Sequence, residues 1–149
     1  MKRNIKLFNV PDMKNSPSNF FGPNGPSDKS GLARDFRYMR MLAALELKSP
    51  NHLGNATEGV FQMIHCDDRD SEGRALVTEE RLQGICEKAG LPTSNAKDIV
   101  DSINSPAVKD LLKANISEAV SKGAYGAPFY TCDDQAYFGS DRLEQFAFT

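Results

Sequence analysis

The sequence predicts an α+β fold in which a layer of helices separates a first strand from a closing strand hairpin. Three observations predict it. Residues 4–10, Asn-Ile-Lys-Leu-Phe-Asn-Val, roughly alternate apolar and polar side chains and stop at Pro11, as a short strand does. Residues 32–122 carry apolar side chains at helical spacing, punctuated by Pro50, Pro92 and Pro106. Residues 129–137 read as two short strands joined by a turn at Asp133-Asp134.

Each element has a local cause. Residues 11–30 are rich in Pro, Gly, Asn and Ser, with Phe20-Phe21 the apolar anchor of a long loop. Helical spacing over 32–47 marks Leu32, Phe36, Met39, Leu42, Ala43 and Leu47 as one face, ended by Pro50. A second helix is expected over 52–65, with Leu53, Val60, Phe61 and Ile64 apolar, followed by the polar connection 67–72. Thr78-Glu-Glu80 supplies an N-cap with acid in the first turn, and Leu82, Ile85 and Cys86 face inward. Ala89-Gly90 followed by Pro92 is a stop signal. Ser94 is expected to cap the next short helix, which buries Ile99, Val100 and Ile103. Pro106 then opens the last long helix, with Val108, Leu111, Leu112, Ile116, Ala119 and Val120 as its apolar residues.

Composition bounds the function. The 149 residues suit a single domain, 1–149, with 31–122 mostly the helical insertion and 123–149 the hairpin and closing helix. A formal net charge of -2 and the absence of a Lys/Arg stripe argue against a nucleic-acid partner. No apolar run reaches the roughly 18 residues that span a bilayer, and no secretory leader pattern is seen, so an intracellular protein is expected. Cys66, Cys86 and Cys132 lie far apart and form no C-x-x-C, so neither a disulfide framework nor a zinc site is expected. Cys66 adjoins His65, but adjacent helical residues point about 100° apart. Cys132 at a strand end reads as a packed small hydrophobe, and the acidic run 67–70 as a solvated turn rather than a metal site.

The closing quarter carries the chemistry. Gly123-Ala-Tyr-Gly-Ala-Pro128 places a proline at the head of a strand, at an edge or a cis bend. Ser140 in Phe138-Gly-Ser-Asp-Arg-Leu143 is a good N-cap for a following helix, whose free amides attract carboxylates. These two hexapeptides at this separation, after a run of helices, resemble the closing half of the kappa-class glutathione transferases. That family and the related 2-hydroxychromene-2-carboxylate isomerases have a thioredoxin-like domain with a helical insertion like that of the DsbA-type oxidoreductases.

The resemblance implies a binding site. Ala127, before a cis Pro128, would offer its backbone N–H and C=O to the cysteinyl part of glutathione. Ser140 and the first amides of the closing helix would receive the γ-glutamyl carboxylate, and Asp141 its ammonium. Asp12-Met-Lys-Asn15-Ser-Pro17 is similar to the D-x-x-N-x-P stretch whose Asn touches the ligand; a second alignment would use Asn19, and a turn-shaping Asn is the plain alternative. Family members open with a strand and helix carrying S-P-Y-S-W, whose Ser lowers the glutathione thiol pKa. No such motif occurs here, so the thioredoxin-like domain is expected to be incomplete, a truncated form or one completed by another chain, with the catalytic residue unknown.

Three functions follow from the resemblance. The first is glutathione transfer to small electrophiles, a detoxification role with glutathione as substrate and no metal. The second is a glutathione-binding relative of weak activity that pairs with a full-length subunit, or a homo-oligomer, since the family is dimeric. The third is a glutathione-dependent isomerase. The family's mitochondrial or peroxisomal address has no visible signal here.

Overall fold

Helix α1, Arg37–Lys48, is where helical spacing meets its first test. Its buried residues are Met41, Ala43, Ala44 and Leu45, whereas Phe36, Met39 and Leu47 are 39–49% exposed. Of the expected face, Leu32 and Ala43 are buried, whereas Phe36, Met39 and Leu47 lie on the outer side. The helix also begins five residues later than the pattern suggested, after Asp35, whose carboxylate accepts from the Arg37 backbone N–H at 3.1 Å. This computed structural model describes residues 17–21, 23–24, 31–32, 35–133, 135–142 and 147. The strand expected over 4–10 and Asn15 lie outside the described residues.

The chain divides into two compact units, Met1–Lys109 and Asp110–Thr149. In the first, Pro50–His52 forms a 3-10 turn between α1 and helix α2, Leu53–His65, since proline has no N–H for α1 to use. Helix α2 buries Ala56, Val60, Met63 and Ile64, and Phe61 points outward at 45% exposure. Helix α3, Glu79–Lys88, opens as its sequence requires: the Arg81 N–H donates to Thr78 Oγ1 at 3.3 Å, and Glu79 and Glu80 fill the first turn. It closes in a Schellman motif, with Leu91 N–H on Cys86 O and Gly90 N–H on Glu87 O. Gly90 has φ +106°, which a side chain would resist.

Helix α4, Thr93–Ser102, starts directly after Pro92, so Ser94 lies within the first turn instead of capping it. Its Ala96, Ile99 and Val100 pack inward, as does Ile103 just beyond. The core of this unit is thus the inner faces of α1 to α4, with Met41, Leu45, Met63, Leu82, Cys86 and Ile99 all under 2% exposed. Close packing depends on small residues: a Cβ on Gly59 of α2 would come within 2.9 Å of Ile85 Cγ2 on α3. Helix α5, Pro106–Ser121, crosses the boundary between the units. Ser105 Oγ accepts from the Val108 N–H at 3.4 Å, and Val108 is the buried residue of this helix. The apolar pattern of its second half differs from a core stripe, because Ile116 and Val120 are 46% and 64% exposed.

The polar connection after α2 is an organised turn. Asp70 Oδ1 accepts from the backbone N–H groups of Glu72 and Arg74, and Oδ2 pairs with Arg74 Nε at 2.7 Å. The hydrogen bonds from Arg74 hold the Asp70 carboxyl below its ordinary value. Against this turn lies the short loop 17–19. Ser18 N–H donates to Gly73 O, and the Asn19 side chain spans Ala75, donating Nδ2 to its O at 2.9 Å and accepting its N–H at 3.0 Å. Ala75 is 2% exposed, so Asn19→Ala would leave a buried donor unsatisfied. We expect that change to cost about 1–3 kcal/mol in urea unfolding, with hydrogen-exchange protection of the Ala75 amide lost first.

Candidate functional site

The second unit is built around its turns. Helix α5 ends in another Schellman motif, with Gly123 N–H on Val120 O and Ala124 N–H on Ala119 O, and Gly123 at φ +85°. The chain then runs through Tyr125 and Gly126 to the Ala127-Pro128 bond, which is cis. Strand β1, Phe129–Cys132, follows and pairs antiparallel with β2, Gln135–Phe138, with Phe129 opposite Phe138 and Cys132 opposite Gln135. The strands turn after Cys132, where the sequence places the turn, and Asp133 takes φ 50°, a conformation that Asp tolerates.

The ladder is extended beyond the strands. Gly139 N–H donates to Pro128 O at 3.0 Å, which sets the 3-10 turn Ser140–Arg142 beside the cis proline. Four of the residues predicted from sequence, Ala127, Pro128, Ser140 and Asp141, are therefore brought to one end of the hairpin. Asn15 lies outside the described residues. Asn19, the alternative to it, has its amide committed to Ala75, the role of a structural asparagine. One detail differs from expectation. Gly139, with φ +99°, supplies the first carbonyl of the turn, accepting from Arg142 N–H, and the 3-10 turn begins at Ser140. The longer helix expected beyond Arg142 falls mostly outside the described residues.

The chemistry available at this end of the hairpin is that of an open backbone edge and, on the adjoining turn, a carboxylate. Ala127 is exposed, and its peptide N–H and C=O engage no other group among the described residues. They are free to pair with an extended peptide. Asp141 is 79% exposed, with Arg142 Nε 3.7 Å from its Oδ2. A Cβ on Gly139 would run into that carboxylate, so the glycine is needed both for its φ and for the approach of Asp141.

Sequence reasoning missed an aromatic pair at the same corner. The Tyr125 and Phe138 rings lie 4.6 Å apart, tilted by 35°, and a Cβ on Gly126 would come within 2.7 Å of Phe138 Cε2. The signal was present: a tyrosine flanked by small residues before the proline, and a phenylalanine opening the Phe-Gly-Ser-Asp segment.

The buried cysteine is not poised as a nucleophile. Burial pushes the Cys86 thiol up to about 11, and its side chain is fully enclosed, which disfavours a thiolate there. Cys66 follows the last residue of α2, and burial followed by the nearby Arg69 charge keeps His65 below its ordinary value. Among the described residues no three His, Cys, Asp or Glu side chains converge as metal ligands. Among those residues, too, no helix is long and apolar enough to cross a membrane.

A family model described as the DSBA-like thioredoxin domain matches residues 28–148. The chain is similar to glutathione S-transferase kappa 1 of Rattus norvegicus, 29% identical over 147 residues, covering 96% of this chain and 59% of that protein. Similarity to the Homo sapiens protein of the same name is 32% over 113 residues, covering 73% and 48%. A third relative, 2-hydroxychromene-2-carboxylate isomerase of Sphingobium xenophagum, is 32% identical over 66 residues, or 44% and 32% of the two chains. The chain spans about half the length of the kappa relatives it matches.

Proposed function

The chain belongs to the DSBA-like thioredoxin domain family, and from that premise we propose that it binds glutathione and serves transfer of the kappa type to small electrophiles. The observation that carries the reading is the unpaired Ala127 peptide before the cis Pro128, whose carbonyl accepts from the Gly139 N–H at the start of the turn that carries Asp141. Ala127 receives the cysteinyl backbone of glutathione as an added strand. Asp141 pairs with the γ-glutamyl ammonium, and the amides of the turn opened by Ser140 face the carboxylate. Asn15 is assigned a further ligand contact on the family resemblance.

In the reaction, the thiol proton leaves to solvent and the sulfur forms a bond to the electrophilic carbon. The leaving group departs with the electron pair of its own bond. Nothing among the described residues is assigned the task of lowering the thiol pKa, so a binding protein of weak turnover that works with another subunit is a second reading. The exposed Ile116 and Val120 on α5 support it. The relative named as an isomerase supports a third, glutathione-dependent isomerisation. The reading also takes 1–149 as one thioredoxin-type domain, with a mitochondrial or peroxisomal address.

The test is a glutathione titration at neutral pH, followed by ultraviolet thiolate absorbance and by heat. Saturable thiolate formation is the expected result for the transferase. Saturable heat without thiolate favours the weakly active reading, and no saturation in either signal overturns glutathione binding.

A further inference from the structure

The hairpin of the second unit leaves one side of its ladder open. Gly139 N–H donates to Pro128 O, and that bond fixes the phase of the antiparallel pairs. Hydrogen-bonded and non-bonded pairs alternate, so Tyr130 with Tyr137 and Cys132 with Gln135 exchange bonds across the hairpin. The N–H and C=O of Phe129 and Thr131 therefore point away from β2, and no group among the described residues pairs with them. The side chains of Phe129 and Thr131 share a face, where they border a groove of about 220 Å³ against Asn115 and Ala119 of α5 and Lys122 just beyond it. Ile116 and Val120 lie on the same side of α5 as Ala119 and are 46% and 64% exposed. A two-stranded hairpin is marginal in water without a third strand. This edge also lacks the usual blocks to pairing, since β1 reads Phe-Tyr-Thr-Cys, with no charge, proline or bulge.

We propose that β1 pairs antiparallel with β1 of a second copy of this chain across a two-fold axis, joining the two-stranded sheets of both copies into one. The outward groups sit at alternate positions. The two-fold register that keeps most of β1 in the ladder therefore sets Phe129 opposite Thr131 of the second copy, with Tyr130 on the axis. Each such pair exchanges both of its N–H···O bonds. The Phe129 ring of the second copy then lies beside Thr131 on the side of the α5 groove, and the two Tyr130 side chains meet on the other face as a close non-bonded pair. A self-complementary edge favours a copy of itself over an unrelated strand, because one geometry satisfies both partners. Asp133, at φ 50°, turns the chain out of the ladder, so the Ala127 peptide and its ligand stay outside this pairing.

Sedimentation velocity of the full chain is expected to show a monomer–dimer equilibrium in the micromolar range, with the Phe129 and Thr131 amides protected from hydrogen exchange only in the dimer. Thr131→Pro removes an outward N–H and spares the bonds to β2, so it should weaken the dimer by about tenfold or more. Thr131→Lys, which places a charge on the edge, should weaken it as well. Tyr130→Cys should cross-link to its counterpart under copper–phenanthroline oxidation, because a close non-bonded pair fits disulfide geometry. Wild-type Cys132 should not, since its counterpart lies roughly 13 Å along the second strand. A chain that stays monomeric at every concentration overturns the pairing, and protected Phe129 and Thr131 amides in that monomer would show another segment of the same chain on the edge. A dimer that keeps its affinity in Thr131→Pro and gives no Tyr130→Cys cross-link also overturns it, placing the interface elsewhere.

Discussion

Asp141→Asn is expected to weaken glutathione binding by on the order of thirtyfold, with the fold intact. The substitution keeps the size of the side chain and removes its charge, so the γ-glutamyl ammonium loses its partner on this chain. Truncating one member of a charge pair that becomes desolvated on binding costs ~2 kcal/mol or more. Because the side chain is 79% exposed in the free protein, stability should change by less than 0.5 kcal/mol, a figure on the order of ordinary surface substitutions. A calorimetric titration reads the first number and a thermal scan the second. An Asp141→Asn variant that binds glutathione like the wild type would place the ammonium elsewhere.

The second large effect lies in the helical unit. Leu45→Ala should destabilise it by about 3 kcal/mol, since Leu45 is 0% exposed and its removal leaves a cavity among the packed helices. Leu47→Ala, two residues along and 49% exposed, should cost under about 1 kcal/mol. Urea unfolding of the two variants measures the difference directly. If Leu47→Ala proved the more costly, α1 would be packed through the face its sequence pattern suggests, and the assignment of the core to Met41, Ala44 and Leu45 would be wrong.

That contrast explains what was legible in the sequence. Several element ends carry strong local chemistry and were read correctly, Thr78 as a cap, Gly90 and Gly123 as stops, and a hairpin turn after Cys132, whereas the start of α1 and the Ser94 cap were not. The choice of buried face was harder. In α1 apolar residues occupy nearly the whole circumference, so periodicity alone cannot tell the stripe of Phe36, Met39 and Leu47 from that of Met41, Ala44 and Leu45. Packing against α4 and α2 decides it. In α5 the apolar stripe of Leu112, Ile116 and Val120 is regular, yet Ile116 and Val120 stay exposed. A helix pattern records that a face is apolar, not what covers it.

The candidate site divides in the same way. The cis bend at Ala127-Pro128 and the turn at Ser140–Arg142 were legible because a proline at a strand head and a Gly-Ser-Asp segment have fixed backbone consequences. Their juxtaposition depends on the Gly139–Pro128 hydrogen bond across the hairpin, which is a tertiary fact. Asn19 shows the opposite outcome. A second alignment to the family's Asn-bearing stretch made it the alternative to Asn15, while its amide is engaged with a backbone segment more than fifty residues away (Ala75), a partner that sequence spacing does not reveal. The Tyr125–Phe138 pair was missed because stacking across a hairpin mouth leaves no periodic signal.

The most direct test of the central claim is an amide-resolved nuclear magnetic resonance titration of the uniformly ¹⁵N-labelled chain with glutathione. The account predicts saturable shifts centred on Ala127 and on the amides from Gly139 to Arg142, with the largest at Ala127 and Asp141. Shifts centred instead on the groove of about 600 Å³ bordered by Asn19, Phe21 and Arg74, with the Ala127 corner silent, would contradict it.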